Sequence, residues 1–225
     1  MVVAFGASVA GAQQCDQTKV LRQMDVAAAK FESAQADFSW DVLQAVVQEH
    51  DIQTGTIYFE RHGSGGAAST SMAAYVKQQN GQNAPKTVTY TGGELQLYQP
   101  AINQLTILKP GANQAQYESF LTLGFGGSGK DLEANWQVSC GGMEKIGNTM
   151  TAKLQLKPKQ QSVANTFSQV TIWVDPAEGV SLKQVFDEPQ GDSRTATYSN
   201  IKVNTKLDAD LFKIKTRPDT AVVRK

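Results

Sequence analysis

From Phe38 onward, apolar residues recur at every second position, and this period governs most of the chain. Ile57 and Phe59 alternate with Thr56, Tyr58 and Glu60, and Leu95 and Leu97 alternate with Glu94 and Gln96. Leu105 and Ile107 bracket Thr106, and Leu154 and Leu156 alternate with Lys153, Gln155 and Lys157. Ile172 and Val174 alternate with Thr171, Trp173 and Asp175. A period of two puts successive side chains on opposite faces, so each run reads as a half-buried strand of antiparallel sheet. Gly92-Gly93, Pro110-Gly111, Gly147-Asn148 and Pro189-Gln-Gly191 punctuate the runs as turns. The pattern predicts about eleven strands. Strands and helices do not alternate, which argues against a parallel sheet.

Helical spacing appears in few places. Val20, Met24, Ala27, Phe31 and Ala34 form a stripe that predicts a helix over 17–36, capped by Asp16 or Thr18. A second helix is expected over 114–125 and a short third over 130–135, with Gly63 to Ser71 as a flexible loop between strands. A sheet this long curls as its strands twist, and its apolar face must close on itself or be covered. Three short helices cover only part of that face. A partly covered apolar concavity has the shape of a lipid or small-ligand site.

Residues 1–12 are uncharged, apolar and small, ending in Ala10-Gly11-Ala12, a pattern expected of a cleaved export signal. Residues 13–225 are then expected to form a single domain in an oxidising compartment. Cys15 and Cys140 are candidates for a disulfide there, the alternative being two free thiols. The 21 basic residues balance 21 acidic ones, which argues against a basic nucleic-acid footprint. After the N-terminus the sequence contains no apolar run of about 18 residues, the length of a membrane-spanning helix.

Catalytic signals are weak. Gly124 to Lys130 matches the start of a phosphate-binding loop, but Asp131 stands where Ser or Thr would hold magnesium. His50 and His62 have no metal-ligand spacing and read as surface residues. No Gly-x-Ser-x-Gly elbow occurs. Asp187, Glu188 and Asp192 cluster at an expected hairpin turn, where acids solvate and cap. The expected protein is not an enzyme and carries no metal or cofactor.

Taken in order, several segments resemble the LolA-type outer-membrane lipoprotein carriers. Ala36 to Trp40 is similar to the strand leaving the family's first helix, and Gly55 to Arg61 to its second strand, which ends in a basic residue. Thr91 to Pro100 followed by Asn103 to Ile107 resembles the family's signature hairpin, with Gly92-Gly93 in place of Asp-Gly. Trp136 to Val138, Leu154 to Pro158, Phe167 to Ile172, the turn at Asp175 to Gly179, Gly191 to Tyr198 and Asp208 to Lys213 follow in the family's order. After Arg61 the sequence departs from the family: His62 and a Gly/Ser-rich stretch stand where proline is common.

The resemblance implies a mainly β fold, an unclosed antiparallel barrel whose helices form a lid over an apolar cavity. It implies a monomeric periplasmic carrier of acylated lipoproteins, loaded by an inner-membrane ABC release complex and unloaded at an outer-membrane acceptor. The alternative is a periplasmic lipid-sensing or hydrophobic ligand-binding module without carrier activity. Trp40, Ile57, Phe59, Leu95, Leu97 and Leu105 are assigned to the cavity wall. Ile107, Leu154, Leu156, Ile172 and Val174 complete it, with dry core packing as the alternative for each. Leu121, Leu123 and Phe125 are assigned to the lid. Arg61 is carried over from the family as the basic residue that bonds lid backbone when the cavity is empty.

Overall fold

The computed structural model describes residues 15–63, 69–109 and 123–225. The expected export signal, Leu121 and nearly all of the helix expected over 114–125 lie outside them, as do residues 64–68 of the expected Gly/Ser-rich loop. Helix α1 spans Gln17–Lys30, and the Asp16 carboxylate accepts the Lys19 N–H at 3.0 Å to cap it. Its buried stripe is Val20, Leu21, Met24, Ala27 and Ala28. The helix stops at Lys30 instead of running to Ala36. Asn204, itself left-handed at φ 55°, donates to the Lys30 carbonyl at 3.0 Å and accepts the Glu32 N–H at 2.8 Å. That side chain takes the place of a further helical turn and sends the chain into strand β1. Ala34 and Ala36 are buried strand residues; alanine is small enough to satisfy either period.

Strands β1 (Ser33–Gln44), β2 (Glu49–His62), β3 (Ser69–Gln79), β4 (Gln82–Thr91), β5 (Glu94–Gln99) and β6 (Gln104–Leu108) follow as a meander. Helix α2 (Gly129–Asn135) covers the third helix expected from sequence and leads into β7 (Trp136–Ile146) and β8 (Thr149–Pro158). Helix α3 (Gln161–Ala164) precedes β9 (Gln169–Asp175), β10 (Val180–Asp187) and β11 (Ser193–Val203). The chain closes with a 3-10 turn at Ala209–Phe212 and β12 (Ala221–Arg224). Among the described residues the twelve strands form one sheet, ordered β12-β6-β5-β4-β3-β2-β1-β11-β10-β9-β8-β7. The sheet does not close, since β12 and β7 lie at opposite edges. The strand beyond the expected eleven is accounted for by β12, which pairs with β6 in parallel, whereas the other pairings are antiparallel.

The sheet curls where its registers break, including Gln35/Asp37 in β1, Val76/Gln78 in β3 and Cys140/Met143 in β7. Gly55 lets β2 and β3 approach closely: a Cβ there would lie 2.0 Å from the Tyr75 carbonyl oxygen. On the concave face the apolar residues divide into two clusters. Leu154, Leu156, Val170, Ile172 and Val174 lie under Val20, Leu21 and Met24 of α1, sealed also by Leu132 and Trp136. Phe38, Ile57, Phe59, Met72 and Tyr90 form the other cluster, with Phe31 and Phe125 above them. On the convex face, Tyr75 donates to the Leu211 carbonyl at 2.7 Å as the C-terminal segment crosses toward β6, and Arg217 bonds the Pro100 carbonyl at 2.6 Å.

Candidate functional site

An open cavity of about 720 Å³ lies on the concave face where the sealed cluster gives way to β1, β2 and β11. Trp40, Ile57, Phe59, Met72, Ala196 and Tyr198 form its wall, and Leu123 and Phe125 its roof. The alternation of β1 aims Phe38, Trp40 and Val42 to one side, because each is opposite a concave-face residue of β11: Tyr198, Ala196 and Arg194. Burial changes along the cavity. Ile57, Phe59, Met72, Leu123 and Phe125 are buried at the inner end, whereas Ser162, Thr166 and Arg194 at the outer end are exposed.

Hydrogen bonds, two from backbone and one from a side chain, fasten the roof to β10 and to the turn before it. Ser181 N–H donates to the Gly124 carbonyl at 2.6 Å, Gly126 N–H donates to the Gly179 carbonyl at 3.4 Å, and the Gln184 amide donates to the Leu123 carbonyl. Phe125 stacks on Phe59 with centroids 4.4 Å apart and meets the Tyr198 ring edge-on at 4.9 Å. Gly126 has φ 75°, and a Cβ there would fall 2.4 Å from the Phe31 ring, so glycine is required. Burial pushes the Tyr198 phenol well above its ordinary range, opposed by a hydrogen bond with Trp40.

Arg61, near the end of β2, joins α1 to this roof. Nη1 donates to the Ala28 carbonyl at 2.5 Å, Nη2 donates to the Gly126 carbonyl, and the guanidinium lies 5.4 Å from the Phe31 ring centroid. Burial pulls its pKa below the ordinary value, and the Asp131 carboxylate pulls it back up. Cys15 and Cys140 form a disulfide with their Cα atoms 6.0 Å apart, joining the residue before the α1 cap to β7. Helix α1 is therefore bonded covalently beside its first turn and by a charged side chain at its last.

Of the residues assigned to the site from sequence, Trp40, Ile57, Phe59, Leu123 and Phe125 come together at the cavity. Leu154, Leu156, Ile172 and Val174 do not: they are fully buried in the sealed cluster beneath α1. A one-faced alternation looks the same whether the face is packed over or left open. Leu95 and Leu97 share the concave face, since their partners Tyr90 and Val88 lie opposite Met72 and Ala74, but they fall outside the cavity lining. Leu105 and Ile107 point to the opposite face, opposite Tyr98 and Gln96. Strand β12 lies beside them, with Val222 opposite Leu105 and Arg224 opposite Ile107.

Sequence reasoning missed Met72, Phe167, Phe186, Ala196 and Tyr198 in the lining. In β10 and β11 the concave face mixes Gln184 and Arg194 with these apolar residues, which hides the alternation. His50 meets Asp41 at 2.8 Å, and His62 meets Ser71 at 3.0 Å. Among the described residues no group of three or more His, Cys, Asp or Glu is placed to hold a metal. The phosphate-loop-like segment serves α2 instead, with Ser128 and Asp131 forming a capping box.

The family described as outer membrane lipoprotein carrier protein LolA matches residues 29–215. No curated protein sequence matches the chain. Among solved structures, an uncharacterized conserved protein from Thermus thermophilus is similar at 14% identity and a TM-score of 0.55, over 92% of this chain and 98% of that one. MucB is similar at 12% identity and a TM-score of 0.53, over 93% of this chain and 66% of that one. The MucA/MucB complex of Pseudomonas aeruginosa gives 10% identity and a TM-score of 0.50, over 89% of this chain and 62% of that one. At these identities the likeness is one of fold.

Proposed function

The chain belongs to the LolA family of outer membrane lipoprotein carriers, and from that premise we propose that it shelters the acyl chains of lipoproteins in its concave cavity and hands them from the inner to the outer membrane. The observation that carries the reading is the apolar cavity, roofed by Phe125 and open at the Arg194 end. Each buried methylene is worth about 0.8 kcal/mol, so a chain of about sixteen carbons resists water by about 12 kcal/mol. An apolar wall lowers that penalty. Its open end lets the cargo leave again.

The disulfide supports residence in an oxidising compartment, the periplasm of a cell with two membranes. Arg61 is the latch in this reading. Its two bonds hold the empty state closed, and cargo that displaces Phe125 shifts the balance to an open state. An ABC release complex at the inner membrane and an acceptor at the outer one are the partners, and the carrier works as a monomer.

Native mass spectrometry of protein purified from a periplasm tests the binding step: acylated polypeptide is expected to accompany it. A handover assay to outer-membrane acceptor tests the transport step. Bound cargo without handover would replace the carrier by a lipid-sensing module of the same fold, and absence of any acyl species would remove both.

A further inference from the structure

The cavity changes chemistry at its outer end. An amphiphile with its chain among Phe59, Met72 and Phe125 leaves its polar end beside Ser162, Thr166 and Arg194, the exposed lining residues. Arg194 is on the concave face, opposite Phe186 on one side and Val42 on the other. It is restrained twice. Its Nε donates to Glu188 Oε1 at 2.8 Å, and its guanidinium lies 5.6 Å from the Phe167 ring centroid. Phe167 in turn contacts Phe186, with centroids 5.3 Å apart. The turn between β10 and β11 holds Glu188: its N–H donates to the Asp192 carbonyl at 2.8 Å, and its carbonyl accepts the Gly191 N–H at 3.1 Å. An arginine this exposed ordinarily samples many rotamers, and each restraint lowers the entropy lost when a ligand binds.

Charge then narrows the ligand. Among the described lining residues Arg194 is the single cation and Asp41 the single anion, and Glu188 lies against the guanidinium from outside. A cation already paired in this way attracts a phosphate weakly, whereas its N–H groups still suit an uncharged carbonyl. Resting on the carrier reading above, we propose that Arg194 binds the polar end of the cargo, donating from its Nη groups to ester or amide carbonyls beside the acyl chain. Glu188 is the positioning residue: it aims the guanidinium and lowers its appeal to phosphate.

The test uses the full chain and three probes of similar apolar bulk: N-palmitoylglycinamide, hexadecyl phosphate and the hydrocarbon diphenylhexatriene. Arg194→Gln is expected to weaken the amide about tenfold, the scale of a hydrogen bond from a charged donor, and to change the hydrocarbon less than about twofold. Glu188→Gln keeps a carbonyl oxygen to accept from Arg194 Nε and so to aim the guanidinium, but removes the charge; it is expected to strengthen the phosphate about threefold or more and to leave the amide within about twofold. Equal losses for amide and hydrocarbon in Arg194→Gln, no loss for the amide, or a wild-type preference for the phosphate each overturn the inference and leave the carrier reading standing. A wild-type protein that takes up neither hydrocarbon nor amide overturns the carrier reading itself.

Discussion

The two parts of the concave face start from the same strand pattern and end in different states. Across β8 and β9, Leu154, Leu156, Ile172 and Val174 are sealed under α1, α2 and the segment around Phe167. Across β1, β2 and β11, side chains of the same character border empty space, and among the described residues one short roof segment stands over them. What separates the two parts is the cover. Helix α1 brings Val20, Leu21 and Met24 to the first and ends at Lys30, so among the described residues β1 and β2 are left to Phe31, Phe125 and the Arg61 bonds. Among the described residues, the part of the concave face left open is the part that the helices do not reach.

The strongest way to break this contrast is to release the cover from the sealed part. Cys15 and Cys140 enclose 125 residues of sequence separation, and both pack against the sealed cluster. The paired substitutions Cys15→Ser and Cys140→Ser are expected to lower unfolding stability by about 4 kcal/mol in urea titrations, on loop-entropy grounds. An effect under about 1 kcal/mol would show that the noncovalent packing of α1 suffices. Next, Leu154→Ala opens a void in a fully buried site and is expected to cost about 3 kcal/mol, whereas Trp40→Ala, on a wall already bordering space, is expected to cost about half as much. Equal costs would mean that the open part is as tightly packed as the sealed one.

Arg61→Leu is expected to cost about 2 kcal/mol by removing two charge-assisted bonds from a half-buried side chain, and to speed hydrogen exchange in the last turn of α1 while its first turn stays protected. Uniform exchange along the helix would show that Arg61 does not set a boundary between the two parts. The smallest effect lies on the convex face. There the Trp173 indole donates to Glu144 at 2.6 Å, and that bond, aided by Lys153, holds the Glu144 carboxyl below the usual carboxylate range. A depressed folded-state pKa contributes stability that is present above the unfolded pKa and lost as pH falls through the folded one. Wild type is therefore expected to be slightly more stable than Glu144→Gln at neutral pH, with the gap closing in acid; a gap that persists below pH of about 3 would assign it to packing.

Much of the fold was legible because period-two alternation is a direct image of the pleat. Ile57 and Phe59, or Ile172 and Val174, mark their strands unambiguously. Which face is covered, and by what, depends on contacts far apart in sequence. Nothing local to Leu154 records that α1 lies over it, and nothing near Leu105 says that the face it shares with Ile107 is the convex one. The end of α1 was hidden for a similar reason: Asn204, some 174 residues from Lys30, is the group that stops it. In the cavity, Trp40, Phe59 and Phe125 stood out as large apolar residues in recognisable segments. Arg194 and Gln184 did not, because a polar residue on a strand is ordinarily a solvated one.

The chain carries three tryptophans, and the fold distributes them over three environments. Trp136 is buried in the sealed cluster, Trp173 is clamped on the convex face between Lys153 and Lys183, and Trp40 faces the cavity. Indole emission shifts to the blue as its surroundings lose water, so an incoming hydrocarbon tail alters the spectrum of one fluorophore against two constant references. Under the proposed function, the three tryptophans thus make a built-in optical gauge of occupancy, readable in solution without a label.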